Sequence, residues 1–308
     1  VETGGPEAMH QLCHMLSSIS CSVEAQMLYL REDKFHSELE LDATATPLPS
    51  YRKYNANSAS SFPSSDSDLM IWPECWTHYI DTLETGDAQT AIWWLSVDNN
   101  NSRFTANHFK ERSDILHLYQ SEYARQYLLK HKVADHQVIK MTEFIPQERC
   151  FPSLTEEKRD LDVLYNPAKG IHYTDEIQKR SGGKKGGICF TAIGGGLNGQ
   201  ERISPQEVTA LLHRAKVYID FGPHPGMDRL PREAALANCL VITNTSGAAK
   251  YKEDVPIPGQ YKISKFDVDA IHRLLKSCLE DYEKRVKDFD AYREWIHGQE
   301  GRMRLCVD

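Results

Sequence analysis

The sequence predicts an α/β protein of two Rossmann-like domains, each built on a parallel sheet, and three observations carry that prediction. At 308 residues the chain is long for one hydrophobic core, because single cores stop growing at roughly 250–300 residues. Short apolar runs alternate with helical periodicity twice along the chain, which is the pattern of βαβ units. Between the two alternations lies IPQERCFPSLTEEKR (145–159), a stretch with two prolines and no periodicity that reads as a domain junction.

The first alternation opens on Gly4 and Gly5. Pro6 suits a first helical position, and Met9, Leu12, Cys13 and Leu16 follow at i, i+3, i+4 and i+7, so a loop leads into an amphipathic helix. The runs SVEAQMLYL (22–30), LMIWPE (69–74), AIWWLSV (91–97) and ILHLYQS (115–121) are expected strands, and NANSASSFPSSDSD (55–68) is an expected Ser-rich loop. The second alternation runs through DVLYNP (162–167), ICFTAI (188–193), VYIDF (217–221) and CLVIT (239–243). One helix start is well marked: Ser204, Pro205 and Glu207 form a capping-box sequence, and Val208, Leu211, Leu212 and Ala215 make the stripe behind it. Toward the end, Ile271, Leu274, Leu275, Cys278 and Tyr282 share a helical face, and VKDFDAYREWI (286–296) continues as another helix. The expected organisation is a first domain over 1–150, a second over 158–284 and a helical tail over 285–308.

Composition narrows the function classes. Hydrophobic content of 40% with 26% charged residues belongs to a chain that buries cores. A net charge of −8 argues against a dedicated nucleic-acid binder, which needs a basic surface to neutralise phosphates. The eight cysteines form no C-x-x-C pair, and Cys189 and Cys239 lie in apolar runs, as reduced core residues of a cytoplasmic protein do. No apolar run reaches the roughly 20 residues that span a bilayer, and no signal peptide is recognised, so a soluble protein is expected. The Gly-rich opening has neither a preceding strand nor an initiator Met, as in a fragment or a renumbered chain.

The most informative stretch is FGPHPGMDRLPREAALANCLVIT (221–243). It follows the strand VYID, and in open α/β sheets ligands bind beyond the carboxyl ends of strands. With Pro231 opening a helix, Arg232 and Glu233 fall in its first turn. Free N–H groups there, with Arg229 and Arg232, suit a diphosphate, and Glu233 suits a ribose diol. The alternative is that Glu233 complements the helix dipole and the arginines are solvated. Gly222, Pro223, Pro225 and Gly226 just upstream favour a binding loop, because such turns bring backbone close to a ligand.

This stretch, with NPAKG (166–170) before it and VPIPGQYKI (255–263) after it, resembles the C-terminal half of GT-B nucleotide-sugar glycosyltransferases, especially retaining ones. TGGPEAMHQL (3–12) resembles their acceptor-side Gly-rich loop, and DFDAYREWI (288–296) their tail helix, which returns to the first domain. The resemblance implies two parallel sheets facing a cleft. It implies a UDP- or GDP-sugar donor, a carbohydrate acceptor, no metal or other cofactor, and a role in glycan or polysaccharide synthesis. Residue by residue, it assigns Glu233 to the ribose and Lys169, before Gly170, to the diphosphate. Asn166, His224, Gly226, Arg229 and Arg232 fall on the donor side, and Gly4 and Gly5 on the acceptor side. Two departures stand out. Where the family often has a Glu eight residues before the ribose-binding one, this chain has Pro225, beside His224. Where the family often has a His after a middle strand, WWLSVDNNN (93–101) offers Asp98 and Asn99; Asp98 is the candidate for orienting or deprotonating the acceptor.

Other motifs carry less. GGGLNG holds Gly194, Gly196 and Gly199 in dinucleotide-fingerprint spacing with Asp220 downstream, the basis of an alternative NAD-dependent oxidoreductase or epimerase; yet the marked helix opens only at Pro205. A non-catalytic sugar-nucleotide-binding module is a further alternative, raised by the two departures. Asp66 and Asp68 precede a strand instead of ending one, His10 and His14 lack a third metal ligand, and Lys184 and Lys185 sit in a glycine loop. His117 reads as a hydrogen-bonded strand residue.

Overall fold

The computed structural model describes residues 3–19, 23–32, 39–101, 103–146, 158–182, 187–194 and 203–308. It divides into two compact units, residues 1–144 with 300–308 and residues 145–299.

In the first unit, helix α1 (Gly4–Ile19) is followed by short strands β1 (Gln26–Met27), β2 (Leu30–Glu32), β3 (Leu39–Leu41) and β4 (Asn57–Ser58). Strand β1 pairs parallel with β4, and β2 antiparallel with β3. The main sheet is parallel, in the order β5 (Leu69–Pro73), β6 (Gln89–Trp94), β7 (Leu116–Tyr119), β8 (Val138–Lys140). Helices α2 (Ala106–Glu111) and α3 (Glu122–Lys130) lie between its strands in sequence. The two adjacent tryptophans of β6 explain why the sheet is covered on both sides. Successive strand residues point to opposite faces, so Trp94 and Ile92 enter one apolar cluster while Trp93, Ala91 and Leu95 enter another with Ala8, Leu12 and Met15 of α1. Both indoles keep a partner inside: Trp93 donates to the Met141 carbonyl at 3.0 Å and Trp94 to His117 Nδ1 at 3.1 Å. Helix α1 starts at Gly4, so Pro6 sits within the first turn, where its missing N–H has no intrahelical partner to lose.

The second unit carries a five-stranded parallel sheet in the order β10 (Phe190–Ala192), β9 (Leu161–Tyr165), β11 (Ala215–Asp220), β12 (Leu240–Asn244), β13 (Lys262–Ile263). Helices α4 (Ile171–Arg180), α5 (Pro205–Arg214), α6 (Arg229–Leu236) and α7 (Val268–Glu280) connect or follow its strands. A parallel sheet covered on both faces reads as continuous apolar sequence, and Val217, Tyr218, Ile219, Leu240, Val241 and Ile242 are all buried. The strand order reverses between β9 and β11: from β9 the chain steps outward to β10, then returns past it to β11 and continues to β12 and β13. That crevice is the topological switch point, where open α/β sheets bind ligands.

The tail is divided where the sequence suggested one block over 285–308. After α8 (Tyr282–Arg285), Phe289 and helix α9 (Asp290–His297) bury Phe289, Tyr292 and Ile296 in the core of the second unit. Helix α10 (Gln299–Val307) belongs to the first unit from Glu300 on, together with Asp308, and Met303 is buried in that unit's core. The aromatic spacing of the 289–296 segment matches the face of α6 against which α9 packs, so this helix completes the second core.

The capping box at α5 is formed as its sequence suggests: Ser204 Oγ accepts the Glu207 N–H, and the Glu207 carboxylate accepts the Ser204 N–H at 2.7 Å. Ser204→Ala leaves these end groups to water and is expected to cost about 1 kcal/mol in urea denaturation; an unchanged midpoint would show that the cap contributes nothing.

Candidate active site

Three loops meet at the carboxyl edge of the second sheet: 166–170 after β9, 221–228 after β11 and 244–250 after β12. They are locked by backbone contacts that side chains would prevent. A Cβ on Gly170, whose φ is +61°, would lie 2.6 Å from the Phe221 carbonyl. One on Gly247, at φ +53°, would lie 2.0 Å from the His224 carbonyl oxygen, which accepts the Ala248 N–H at 2.8 Å. Asn244 Nδ2 donates to both the Phe221 and Gly222 carbonyls at 2.9 Å, so the end of β12 holds the loop after β11.

Across the switch point these loops carry a chain of charges. Lys169 Nζ lies 2.5 Å from Asp228 Oδ2, the same oxygen lies 2.9 Å from His224 Nδ1, and His224 Nε2 faces Asp220 Oδ1 at 3.7 Å. His224 and Asp220 are buried, and Asp220 is anchored by the Gly222 N–H and the Tyr218 hydroxyl. Burial pushes the Asp228 carboxyl up, but the His224 hydrogen bond and the Lys169 ammonium outweigh it and hold the group below its ordinary value. Asp220 is raised, because its burial exceeds the opposing pull of His224 and Lys169. Ligand atoms of Asp220, His224 and Asp228 lie within 4.8 Å of one another, the only such His/Cys/Asp/Glu group among the described residues. Lys169 pairs with Asp228 Oδ2 beside this group.

The remaining donor-side residues separate into two kinds. Helix α6 starts at Arg229, not at Pro231, with Asp228 as N-cap residue. Pro231 therefore sits inside the first turn, and Glu233 lies in the second turn, half-buried, instead of in the first. Arg232 turns inward: it is fully buried, donates to the Met227 and Asp228 carbonyls and to Gln299 Oε1, and thus braces the loop from behind instead of facing a ligand. Asn166 Oδ1 accepts the Ala168 N–H at 2.9 Å and shapes its own turn. Gly226 accepts from the Asp228 N–H, and Arg229 is half-buried at the helix start. Lys169, Gly170, His224, Gly226 and Asp228 thus share one loop cluster, with Arg229 at the start of α6 and Glu233 one turn further along the helix.

In the first unit, Asp98 and Asn99 are exposed in the turn after β6, and Tyr123 donates its hydroxyl to Asp98 Oδ1 at 3.0 Å. Gly4 and Gly5 form the first turn of α1, and a Cβ on Gly5 would meet nothing within 4 Å. The buried anchor of the Asp98 turn is Glu74, at the end of β5. It accepts the Leu95 N–H at 3.1 Å, the Ser96 N–H and the Asn99 side chain; its burial prevails over these bonds and pushes the carboxyl up to about 7.

Sequence reasoning missed Asp220, Asp228, Asn244, Gly247 and Glu74 as site-forming residues. The legible signals were the i, i+4, i+8 spacing of Asp220, His224 and Asp228 and the single polar residue closing each apolar strand. The other candidates are structural: His10 bonds the Pro6 carbonyl and the Tyr29 hydroxyl, and Asp68 accepts the Ser64 and Ser65 N–H groups. His117 is buried and pushed down to about 4. Asp220 is committed within its own loop, which removes the acidic partner of the dinucleotide fingerprint. Gly196, Gly199, Lys184, Lys185, Cys21 and Cys150 lie outside the described residues.

Two α/β units with parallel sheets are the architecture of the GT-B fold of nucleotide-sugar glycosyltransferases, and this chain has that fold. Among solved structures it is similar to TarM of S. aureus, at 12% identity and TM-score 0.60 over 78% of this chain and 53% of that one. It is similar to Anabaena HepE in complex with UDP, at 9% identity and TM-score 0.58 over 78% and 77% of the two chains. Sucrose-phosphate synthase from Thermosynechococcus elongatus matches at 11% identity and TM-score 0.57 over 83% and 73%. The chain spans about half the length of TarM. No family model and no curated protein matches it.

Glu74 gives the first unit a pH signature. A carboxyl raised from 4.5 to about 7 keeps its proton in the folded state while the unfolded chain releases it. Stability attributable to Glu74 is therefore full below about pH 4.5 and falls as pH rises toward 7, by about 3 kcal/mol. Glu74→Gln is expected to flatten this difference in urea titrations between pH 4.5 and 7.5; parallel pH profiles for the two proteins would refute it.

Proposed function

We propose that the chain transfers a sugar from a nucleotide diphosphate sugar to a carbohydrate hydroxyl. The observation that carries this reading is Lys169, a lysine on the loop after β9, held by ion pairing beside the start of α6 at the switch point of a GT-B fold. When the bond between the anomeric carbon and the diphosphate breaks, charge builds on the departing oxygen. Lys169, Arg229 and the N–H groups opening α6 supply fixed positive potential there. In exchange for the phosphate, Lys169 gives up part of its contact with Asp228, which stays held by His224. Glu233, one turn further along α6, is assigned the ribose diol. The leaving group is stabilised by protein cations, and no metal is required.

Asp98, with Asn99 beside it, is assigned the acceptor hydroxyl, which it orients or deprotonates, with Gly4 and Gly5 on the same acceptor side. Its fixed bond to Tyr123 limits its rotamers, as a positioning group requires. HepE and the pneumococcal O-GlcNAc transferase GtfA are solved with UDP, which supports a uridine nucleotide as the first donor to try.

A thermal-shift panel of UDP-, GDP-, dTDP- and CMP-sugars, with NAD as control, tests the class, because a ligand raises stability according to its occupancy. At least one nucleotide sugar is expected to raise Tm and NAD is not. In calorimetric titration of that donor, Glu233→Gln is expected to lose about ten- to a hundredfold in affinity, from ~1.5–3 kcal/mol in charged hydrogen bonds. Unchanged affinity in the folded variant would contradict the assignment.

A further inference from the structure

Beside the Lys169–Asp228 pair, the carboxyl ends of β11, β12 and β13 line an open cavity of about 220 Å³. Its apolar walls are Tyr173 from α4, Phe221 from the loop after β11, Ile263 of β13 and Phe266 from the loop after β13. Its polar lining is Asn244, Thr245, Ser246 and Ser264, and none of its lining residues carries a charge. Asn244 is committed to the backbone carbonyls of the loop after β11, which leaves the hydroxyls of Thr245, Ser246 and Ser264 as the groups a ligand would meet.

Three features select the ligand. The absence of charge in the lining disfavours phosphates and carboxylates, which need cationic partners. The volume falls below the roughly 300–1,000 Å³ of pockets for drug-sized ligands, so it suits one ring. The aromatic walls are not parallel: Tyr173 and Phe266 are tilted by 50° at 4.7 Å between centroids, and Phe221 and Phe266 by 81° at 6.3 Å. At 4.7 Å Tyr173 and Phe266 pack on each other as one aromatic wall, with no slot between parallel faces for a planar base, whereas a puckered ring can set its C–H side on that wall and its hydroxyls on the rim.

We propose that this cavity is a pyranose-binding subsite. Its use for a unit of the carbohydrate acceptor rests on the transfer reading above; the binding of a pyranose does not. Lys169, Arg229 and Glu233 are not among its lining residues, so it takes its ligand independently of the diphosphate.

The test uses the full chain and saturation-transfer NMR with the methyl pyranosides of glucose, galactose, mannose and N-acetylglucosamine. UDP is titrated into the same preparations. At least one pyranoside is expected to receive saturation from the wild type. Ser264→Trp, which fills the cavity from its exposed rim, is expected to weaken that binding by about tenfold or more. Phe266→Leu, which removes one wall and keeps an apolar side chain, serves as the second variant and is expected to weaken it in the same direction. UDP affinity should stay within about twofold in both variants. No pyranoside signal in the wild type, or equal signals in all three proteins, would overturn the proposal. Loss of UDP binding in Ser264→Trp would also overturn it, by making this the pocket of the nucleotide base. Failure of UDP to bind any of the proteins would count against the donor reading and leave a pyranose signal, if present, standing.

Discussion

The arrangement of the second unit depends on one buried interaction, the chain Lys169–Asp228–His224–Asp220. A half-buried ammonium costs free energy unless a carboxylate compensates it, and a buried carboxylate costs more unless it is bonded on several sides. Asp220 is tied to the Gly222 N–H and the Tyr218 hydroxyl, His224 bonds Asp228 through Nδ1 while its Nε2 only faces Asp220 at 3.7 Å, and Asp228 receives both His224 and Lys169. The outcome is a lysine whose position is set before any ligand arrives, which is the preorganisation that stabilising a departing diphosphate demands.

That chain exists only because the loops can approach closely. Gly170, Gly222 and Gly247 lie where a Cβ would collide with a neighbouring loop; at Gly222 it would come within 2.6 Å of Lys169 Cβ. Behind the loops, Arg232 ties the Met227 and Asp228 carbonyls to Gln299, the last residue of the second unit before the chain passes to the first. The arginine that sequence alone offers to a phosphate therefore holds the binding loop in shape. In the first unit, Glu74 does for the Asp98 turn what Asp220 does for the loop after β11: a buried carboxylate at a strand end collects backbone N–H groups of the neighbouring turn.

Much of this was legible from residues alone, for physical reasons. Apolar runs bounded by polar turns located β5–β7 and β9–β12, because parallel strands buried on both faces leave little else to read, but not the short edge strands β8 and β13. Ser204, Pro205 and Glu207 announced a helix start that local hydrogen bonding then fixed. The 221–233 loop stands out because glycine and proline crowd a strand end, whereas Lys169 is pointed to only by the resemblance of NPAKG (166–170) to the GT-B family. What was not legible depends on partners distant in sequence. Arg232 reads as a phosphate ligand in the sequence because nothing near it in the chain reveals Gln299, 67 residues away. Pro231 reads as a first helical residue, yet the helix starts two residues earlier, because proline is tolerated anywhere in the first turn. The tail was assigned as one block because its aromatic face does not say which core it fills.

The central claim is that Lys169, fixed by the buried charge chain, carries the affinity for a nucleotide diphosphate. Calorimetric titration of UDP into the wild type and into Lys169→Met tests it most directly, since methionine keeps much of the stem's packing and removes the charge. Removing a charge-assisted contact to phosphate worth ~1.5–3 kcal/mol predicts a fall of about ten- to a hundredfold in affinity, in a protein whose unfolding remains cooperative. A folded Lys169→Met variant that binds UDP as tightly as the wild type would contradict the account.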